Sequence, residues 1–489
     1  MEINEKVRRS FKWTFATEFL SKLIVPVTGM VLARILSPSA FGVVASILVA
    51  TSFAEIFADA GFQKYFVQHD FQSEESKKRC FITALITCCT VALFCWLLIC
   101  FFAKPIAALL GVPDIYRGLQ VASLGILLNS FNGMQGAIFR REFQFQLLFK
   151  VRVIALLTPI FVSIPLALLG FDYWALIIGT LVQQIATCIF QARYVSIPVA
   201  FRFDFASLKE MLSFSLWTLF ESITIWLSTW GDLFIVGTLL SSYYLGLFRG
   251  SSTLTNAAFS LITGAIMPVL FSGLSRVQSD MHAFHSMYYD IEKKSILFVA
   301  PIGVGIFVFR DIAVSILLGA QWHEADFFVG LRGLVGCFSV VINWMGSEAL
   351  RAKGMPRLSA LSQIFYFPVM FAVLYVTAPL GFDILAIGTC LCSLELDCVK
   401  LVILNKCLGF SLRKLIGSIC PAMGSAVLAG GMVHLFRSFL GTDSIMVSII
   451  SMLLFGVLYL GIVCLSRENR DFLLAIFKKS GGTSWLRGR

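Results

Sequence analysis

The dominant pattern in this sequence is a succession of long apolar runs separated by short polar connections. A helix crossing a hydrocarbon core of about 30 Å needs roughly 20 mostly apolar residues, because its backbone polar groups must be satisfied within the segment. The pattern predicts an all-α integral membrane protein with fourteen transmembrane helices. Their approximate limits are 13–36, 41–67, 80–102, 118–139, 150–170, 173–195, 213–238, 243–272, 295–318, 327–350, 358–379, 383–405, 415–436 and 444–465.

Composition and charge agree with this class. The chain is 58% hydrophobic and 14% charged, whereas an ordinary soluble domain is about a quarter charged. Its net charge of +11 arises mainly from lysines and arginines in alternate short loops, which predicts that both termini are cytoplasmic and gives no reason to expect a nucleic-acid partner. We expect the N-terminal segment to be an uncleaved first span. Contact of the basic loops with anionic lipid headgroups is a further possibility.

Motifs of enzymes and metal sites are not found in the sequence. The thirteen cysteines fall mostly in apolar segments without paired CxxC spacing, which indicates reduced packing residues. His282 and His285 hint at a metal but have no third ligand nearby. There is no phosphate-binding glycine loop, Walker lysine or nucleophile elbow. We therefore expect no cofactor, no metal and no catalysis, and transport driven by an ion gradient, the membrane potential or the substrate gradient.

A weak internal repeat relates the first span to the seventh at an offset of 204 residues. The offset places Trp13 on Trp217, Leu23 on Leu227, and Gly42 on Gly246. Six spans occupy the same length, so the second copy would begin on the same side of the membrane. We predict two parallel six-helix bundles plus a terminal pair, with residues 1–205, 206–410 and 411–489 as the three parts. Rocking of one bundle against the other is the mechanism that this architecture favours.

Charged residues inside the predicted spans are the candidate site. Such groups cost several kcal/mol unless they face a partner or a water-filled cavity, so each is a functional candidate. They concentrate on the first two helices of each repeat and comprise Glu18, Lys22, Glu55, Asp59, Lys64, Glu221, Asp232 and Arg249.

Two interpretations of these charges remain open. Lys22 and Asp59 are predicted at similar depths, where they would form either a static ion pair or part of a polar cavity wall. We favour the cavity because of the uneven distribution of charge. Asp232 and Arg249 lie near the predicted outer ends of their helices, where a fixed gate pair and a ligand contact are equally plausible.

Several segments together resemble the Wzx-type flippases of the polysaccharide-transporter family, within the multidrug/oligosaccharidyl-lipid/polysaccharide exporter superfamily. In that family an LAR-L-SP-x-x-FG turn precedes D-x-G near the end of the second helix, as in the hairpin at residues 30–68. The segment GLFRGSSTL departs from the family's tyrosine and Arg-Ala pair. The other similar segments are RREFQFQLLFK, YWALIIGTLVQQ, GDLFIVGTLLSSYYLGLFRGSSTL, MPVLFSGLSRVQSD and LRAKGMPRLS.

The resemblance implies a flippase that moves an undecaprenyl-pyrophosphate-linked oligosaccharide across the bacterial inner membrane for O-antigen, capsule or exopolysaccharide assembly. A polysaccharide polymerase and a chain-length regulator are its implied partners, and we expect a monomer. By similarity to relatives that flip the peptidoglycan precursor, Lys22, Lys64 and Arg249 would hold the pyrophosphate, beside Glu18. Arg34, in the turn, is as well explained by a structural role.

The candidate residues also include four carboxylates, so the predicted cavity is less cationic than the relatives suggest. Glu55, Asp59, Glu221 and Asp232 would bind coupling ions or accept hydrogen bonds from sugar hydroxyls. The alternative function is a cation-coupled multidrug antiporter of the same superfamily, in which Glu55 and Asp59 form the coupling site. A membrane polymerase or ligase is disfavoured because the outer loops are short. Charge-free predicted helices 13 and 14 suit the polyprenyl tail, although simple lipid-facing packing also explains them.

Overall fold

A computed structural model gives the fold and describes residues 2–195, 203–440, 445–466 and 469–472. Within these ranges the chain forms helices joined by turns, with no strand. The helices are α1 (Glu2–Ile35), α2 (Pro38–Asp59), α3 (Phe62–Gln68), α4 (Glu74–Phe101), α5 (Ala103–Leu109), α6 (Tyr116–Ala122), α7 (Leu124–Arg141), α8 (Phe145–Phe161), α9 (Ser163–Leu168), α10 (Tyr173–Tyr194), α11 (Phe205–Leu239), α12 (Ser242–Arg276), α13 (Met281–Val308), α14 (Arg310–Leu317), α15 (Asp326–Ser339), α16 (Met345–Ala352), α17 (Pro356–Thr377), α18 (Phe382–Leu408), α19 (Leu412–Leu440) and α20 (Ile445–Val463).

Eleven helices in the described part are long and apolar enough to cross a membrane, or twelve if the pair α13 and α14, bent by 84°, forms one span. The chain is thus a multi-pass helical membrane protein. Two further predicted spans correspond to α7 and α18, which form helices but carry too much polarity to qualify by composition. The amides and arginines of α7 lower its hydropathy, whereas α18 is apolar overall but carries three charged residues within six positions, Glu395, Asp397 and Lys400. The number fourteen stays a prediction.

The chain divides into two compact units. Unit 1 comprises Met1–Gly250, Leu317–Trp322 and Leu374–Phe382, and unit 2 comprises Ser251–Ile316, His323–Val373 and Asp383–Arg489. The division into three parts stays a prediction.

In unit 1, α1 packs mainly against α8 and α9, whereas α2 packs against α4, α7, α10 and α11. Small and aliphatic side chains fill these contacts, as for Leu119 and Ile126, both 0% exposed. Helix α11 begins at an N-cap, Asp204, whose carboxylate accepts hydrogen bonds from Ser207 Oγ and from the backbone of Ala206 and Ser207. These bonds lower the pKa of Asp204, the side-chain bond from Ser207 most of all.

In unit 2, α13 is the central helix and packs against α15, α19 and α20. Its buried face joins Phe284 and Tyr288 to Phe410, all 0% exposed. From α20, Tyr459 donates a hydrogen bond of 2.7 Å from its hydroxyl to the Leu297 carbonyl. A buried tyrosine needs such a partner, so this bond fixes α20 against α13.

The two turns paired by the 204-residue offset contact each other within unit 1. A Cβ added to Gly42 would lie 1.7 Å from Ser242 O, and one added to Gly246 would lie 1.8 Å from Pro38 O. Pro38 and Ser242 are themselves separated by 204 residues. The contact is therefore reciprocal between positions that the offset pairs, and it requires glycine on both sides because backbone meets backbone. The repeat of whole bundles stays a prediction.

A short strap, residues 317–322, also belongs to unit 1 although its neighbours in sequence belong to unit 2. Gln321 Nε2 donates to Ala33 O at 2.8 Å and to Leu36 O at 2.7 Å, and Trp322 Nε1 donates to Ala33 O at 2.9 Å. The last carbonyls of a helix lack partners within it, so the strap satisfies the end of α1. Trp322 is 1% exposed and packs edge-on against Phe41.

Loss of the strap contacts is expected to destabilise the protein. Trp322→Ala should cost about 3 to 5 kcal/mol, the usual range for removing a fully buried large aromatic side chain. Gln321→Ala should cost about 1 to 2 kcal/mol by leaving two carbonyls without these donors. Thermal unfolding of the detergent-solubilised protein measures both effects. Phe439→Ala is the control, since Phe439 is 88% exposed; an unfolding temperature of Trp322→Ala equal to that of the control would contradict the assignment.

Candidate functional site

One face of α2 and α3 carries a row of polar side chains. Ser52, Glu55 and Asp59 follow at intervals of three and four residues, which places them on one face of α2, and Gln63 of α3 lines the same cavity. Between α2 and α3 the backbone turns through Ala60 and Gly61, whose φ angles are 41° and 80°. Two features favour glycine at position 61. Its φ is positive, and an added Cβ would lie 2.5 Å from the Thr218 side chain.

Helix α7 faces this row with amides and an arginine. Asn129 Nδ2 donates to Glu55 Oε1 at 2.6 Å. Arg140 Nη2 donates to Gln63 Oε1 at 2.8 Å, and Gln63 lies four residues after Asp59. Asp59 Oδ1 is buried and has no hydrogen-bond partner in the described part of the chain. The carboxylate oxygens of the row are thus only partly hydrogen-bonded by neighbouring side chains.

Helix α11 supplies aromatic rings to the same space. Trp226 Nε1 donates to Ser52 Oγ at 2.9 Å, and the Trp226 ring lies edge-on to Phe53 at 4.9 Å between centroids. The three helices enclose a cavity of about 360 Å³ that opens to the surface of unit 1. It is lined by Ser52, Glu55, Ile56, Asp59, Gln63, Asn129, Ser130, Ser222, Ile225, Trp226, Thr229 and Trp230.

Cationic groups lie beside this acidic cavity. Lys64 Nζ is 3.1 Å from Glu221 Oε2, and both side chains are about half-exposed, at 48% and 61%. The charges of Lys64 and Arg140 also act on Asp59. The Arg249 guanidinium lies 5.1 Å from the ring centroid of Trp230, a lining residue, and interacts electrostatically with Asp232.

Glu18 and Lys22 lie on α1, which packs chiefly against α8 and α9. Glu18 is exposed and Lys22 is partly buried. Next to Lys22, Ser21 Oγ accepts a hydrogen bond of 2.9 Å from Arg152 Nε on α8. The pairing of Lys22 with Asp59 stays a prediction.

Three residues of this region escaped the sequence reasoning. Arg140 falls in a predicted loop, yet its guanidinium reaches Gln63. Asn129 carries no charge and gives no signal within its span. Arg152 lies inside the fifth predicted span, and the run LLFKVRVIALL shows it.

The hydrogen bond from Asn129 is expected to contribute to stability, because Glu55 is half-buried. Asn129→Leu should cost about 1 to 3 kcal/mol by leaving a Glu55 oxygen without its donor. Glu55→Gln keeps an acceptor oxygen in the same shape and should change stability by less than about 0.5 kcal/mol. Thermal unfolding in detergent distinguishes the two variants, and equal unfolding temperatures would contradict this account.

Among the residues that the structure describes, no three or more His, Cys, Asp or Glu side chains come together in an arrangement that could hold a metal ion. His282 and His285 lie on the first turns of α13, and His285 Nε2 is 2.7 Å from the Leu408 carbonyl, with its ring against Phe410. All thirteen cysteines are free thiols.

Comparison with known proteins gives consistent matches over most of the chain. The family model described as "Polysaccharide biosynthesis protein" matches residues 31–326. The succinoglycan biosynthesis transport protein ExoT of Rhizobium meliloti (strain 1021) is 25% identical over 336 residues, which are 68% of this chain and 67% of ExoT. The lipopolysaccharide biosynthesis protein WzxC of Escherichia coli (strain K12) is 24% identical over 378 residues, 75% of this chain and 74% of WzxC.

A solved structure shows the same fold. The lipid II flippase MurJ in an inward closed conformation superposes with a TM-score of 0.71, covering 95% of this chain and 100% of MurJ at 15% identity. ExoT is named a transport protein and MurJ a flippase, and neither is named a catalyst. This chain belongs to the polysaccharide biosynthesis protein family.

Proposed function

We propose that this protein moves an undecaprenyl-pyrophosphate-linked oligosaccharide, the repeat unit of an O-antigen, capsule or exopolysaccharide, from the cytoplasmic to the outer leaflet by alternating access. The observation that carries the proposal is the polar cavity between α2, α7 and α11. Polar groups within a membrane unit are costly unless they line a wet path, and a flippase needs such a path for its hydrophilic headgroup.

The cavity's chemistry suits sugar hydroxyls. Carboxylates accept hydrogen bonds, amides donate and accept, and hydroxyl groups of a sugar do both. Glu55 and Asp59 offer acceptors, Asn129 and Gln63 offer amides, and Trp226 offers a broad apolar surface. A small apolar drug would leave these polar groups unpaired, so the antiporter alternative fits the lining less well.

Cations around the cavity would hold the pyrophosphate. Arg249 presents a planar guanidinium, which binds phosphate oxygens in pairs. Lys64 and Lys22 would add point charges, and Arg140 and Arg152 enlarge this set. Because Lys64 already contacts Glu221, an arriving phosphate would replace that carboxylate as its partner. Glu18, exposed on α1, would contact the headgroup rather than the phosphates.

Coupling to an ion or to the membrane potential is part of the proposal. Glu55 and Asp59 lie inside the cavity, and Glu221 and Asp232 contact the cations beside it. A proton or sodium ion on these carboxylates would change the charge of the cavity and thus its preference for an anionic headgroup.

An apolar groove of unit 2 has the chemistry that a polyprenyl chain requires. The groove is about 730 Å³ and runs between α12, α13 and α20, the last of which is predicted span fourteen. Its lining is almost wholly apolar, with Leu261, Ile266, Phe298, Leu460 and Val463 among its residues. Such a groove, open toward lipid, keeps a hydrocarbon chain out of water.

The remaining parts of the proposal concern topology and partners. Both termini would be cytoplasmic in a bacterial inner membrane, with two six-helix bundles and a terminal pair. The protein would act as a monomer. It would hand its substrate to a polysaccharide polymerase and a chain-length regulator.

Deletion of the gene in its host, followed by extraction of lipid-linked intermediates, tests the function. We expect an undecaprenyl-linked oligosaccharide to accumulate while surface polymer disappears, because synthesis continues on the inner leaflet without export. Complementation by the wild-type gene is the control. Unchanged surface glycan without accumulation would overturn the proposal, and increased drug sensitivity in the same strain would then favour the antiporter.

A further inference from the structure

Unit 2 contains a buried pair of charges that the cavity of unit 1 does not use. Asp397 is 3% exposed and Lys400 is 0% exposed, both on α18. They are three residues apart, on one face of the helix, and their charges interact. Charged groups buried in a membrane protein are costly, so such a pair calls for a role.

The contacts of the pair are few. Asp397 Oδ2 accepts a hydrogen bond of 3.0 Å from Ser339 Oγ, while Asp397 Oδ1 is buried and has no hydrogen-bond partner among the described residues. Lys400 Nζ donates to Ser359 Oγ at 3.0 Å, and Ser359 donates to Ser347 Oγ at 3.1 Å. One oxygen of the buried carboxylate is therefore left open for a donor.

A polar cavity of about 160 Å³ reaches Ser339, the hydrogen-bond partner of the carboxylate. Ser339, which bonds Asp397, is itself a lining residue, together with Asn256, Arg332, Asn343 and Ser393. Water takes about 30 Å³ per molecule in the liquid, so the cavity has room for a short chain of waters. A hydroxyl that both donates and accepts, such as that of Ser339, connects this space to Asp397.

The helices around the pair bring more cations than anions to it. Helix α15 brings Arg332 to the cavity wall, and Arg351 of α16, which acts on Lys400, forms an ion pair of 2.7 Å with Glu348. Glu395, two residues before Asp397, lies on another face of α18. Helices α12 and α17 contribute the uncharged Asn256 and Ser359. A metal cation would have one carboxylate and one hydroxyl for ligands and would lie beside the ammonium of Lys400. A proton needs only the free oxygen.

We propose that Asp397 is a proton-binding site of unit 2. A proton that reaches the carboxylate by way of the cavity and Ser339 converts it into a neutral carboxylic acid and leaves water behind when the donor is hydronium. Lys400 then loses its compensating charge, so each uptake raises the buried charge of unit 2 by one. Its use in a transport cycle rests on the proposed function; the protonation itself does not.

Infrared difference spectroscopy tests the site without any substrate. The purified full-length protein in lipid nanodiscs would be stepped from mildly alkaline to mildly acidic pH, and the C=O stretch of protonated carboxyl groups recorded. We expect a band that disappears in Asp397→Asn, since an amide of the same shape binds no proton. It should persist in Glu395→Gln and in Glu292→Gln, the latter removing another buried carboxyl of unit 2, 1% exposed.

Lys400→Met provides a second readout. Without the neighbouring ammonium the ionised carboxylate loses its stabilising charge, so the band should be stronger at the same pH. If Asp397→Asn does not fold, Ser339→Ala serves instead: it removes the hydrogen bond to the carboxylate and should also strengthen the band. A spectrum unchanged in Asp397→Asn, or unchanged in both Lys400→Met and Ser339→Ala, would overturn the proposal.

The same experiments distinguish a proton from a metal cation, and they distinguish failure of the proton site from failure of the proposed transport function. Replacing potassium with sodium at constant pH should leave the band unaltered, and a loss of the band in sodium would assign the site to a metal cation and overturn the proton site. In cells, Asp397→Asn should reduce surface polymer at least fivefold, with Glu395→Gln as control. A host deletion without accumulated intermediate would refute the proposed function while a band dependent on Asp397 would still establish the proton site.

Discussion

Replacing Gly246 with alanine is expected to prevent formation of the native unit 1. In an exposed helix interior the same change stabilises by about 1 kcal/mol. Here the new methyl carbon would lie 1.8 Å from the Pro38 carbonyl oxygen, which cannot rotate away as a side chain does. We expect a cost of about 3 kcal/mol or more, above the usual range for overpacking, because the backbones of two helices must separate. The yield of monodisperse protein and its thermal unfolding temperature measure this loss of stability.

Glycines in open surroundings are the matched controls. Gly29 in α1 and Gly136 in α7 have nothing within 4 Å of an added Cβ, so their alanine variants should behave like wild type. Gly42→Ala should resemble Gly246→Ala, and the double variant should cost less than the sum, because one separation accommodates both methyl groups. Normal yield and stability of Gly246→Ala would contradict the close contact.

Arg249→Ala is expected to abolish transport while leaving protein abundance unchanged. The guanidinium lies on the Trp230 ring beside the cavity, and a charge-assisted hydrogen bond to phosphate is worth about 1.5 to 3 kcal/mol. We therefore expect surface polymer to fall at least tenfold, since about 1.4 kcal/mol corresponds to a factor of ten. Arg249→Lys should recover only part of the activity because lysine cannot bind two oxygens in one plane.

The measurement is surface polymer per cell, with membrane abundance of the variant determined in parallel. Arg276→Ala is the control, since Arg276 is exposed in the last turn of the same helix. Lys22→Ala should act in the same direction as Arg249→Ala. Normal polymer in both variants would refute the assignment of these cations to the substrate.

Several features of the site follow from sequence because they depend on one helix at a time. Glu55 and Asp59 lie on one face, as their spacing of four predicts, and the structure places both in the cavity wall. The charged residues of the spans were recognised as candidates because an apolar surrounding makes each of them costly. Their roles stay predictions until the variants are measured.

Other features depend on which helices meet. In the sequence Arg140 falls in a predicted loop. Only the packing of α7 on α3 brings its guanidinium to Gln63. Trp226 is one of many aromatic residues until Ser52 accepts its hydrogen bond. Asp397 and Lys400 are visible in the sequence as charges within the twelfth predicted span, but their burial, the open Oδ1 and the cavity at Ser339 emerge only from the packing of α15, α17 and α18.

The sequence by itself determined that this is a multi-pass helical membrane protein, and its motifs pointed to the polysaccharide transporters. Those conclusions rest on local quantities: the length and hydropathy of each run, set by the thickness of the bilayer, and short motifs. Only the tertiary structure shows that the helix starts at Gly42 and Gly246 contact each other, and that Gln321 and Trp322 donate to the last carbonyls of α1. It also shows that carboxylates, amides and tryptophans line one cavity. These contacts join residues far apart in the chain, and steric fit between helix faces, which no single segment encodes, selects them.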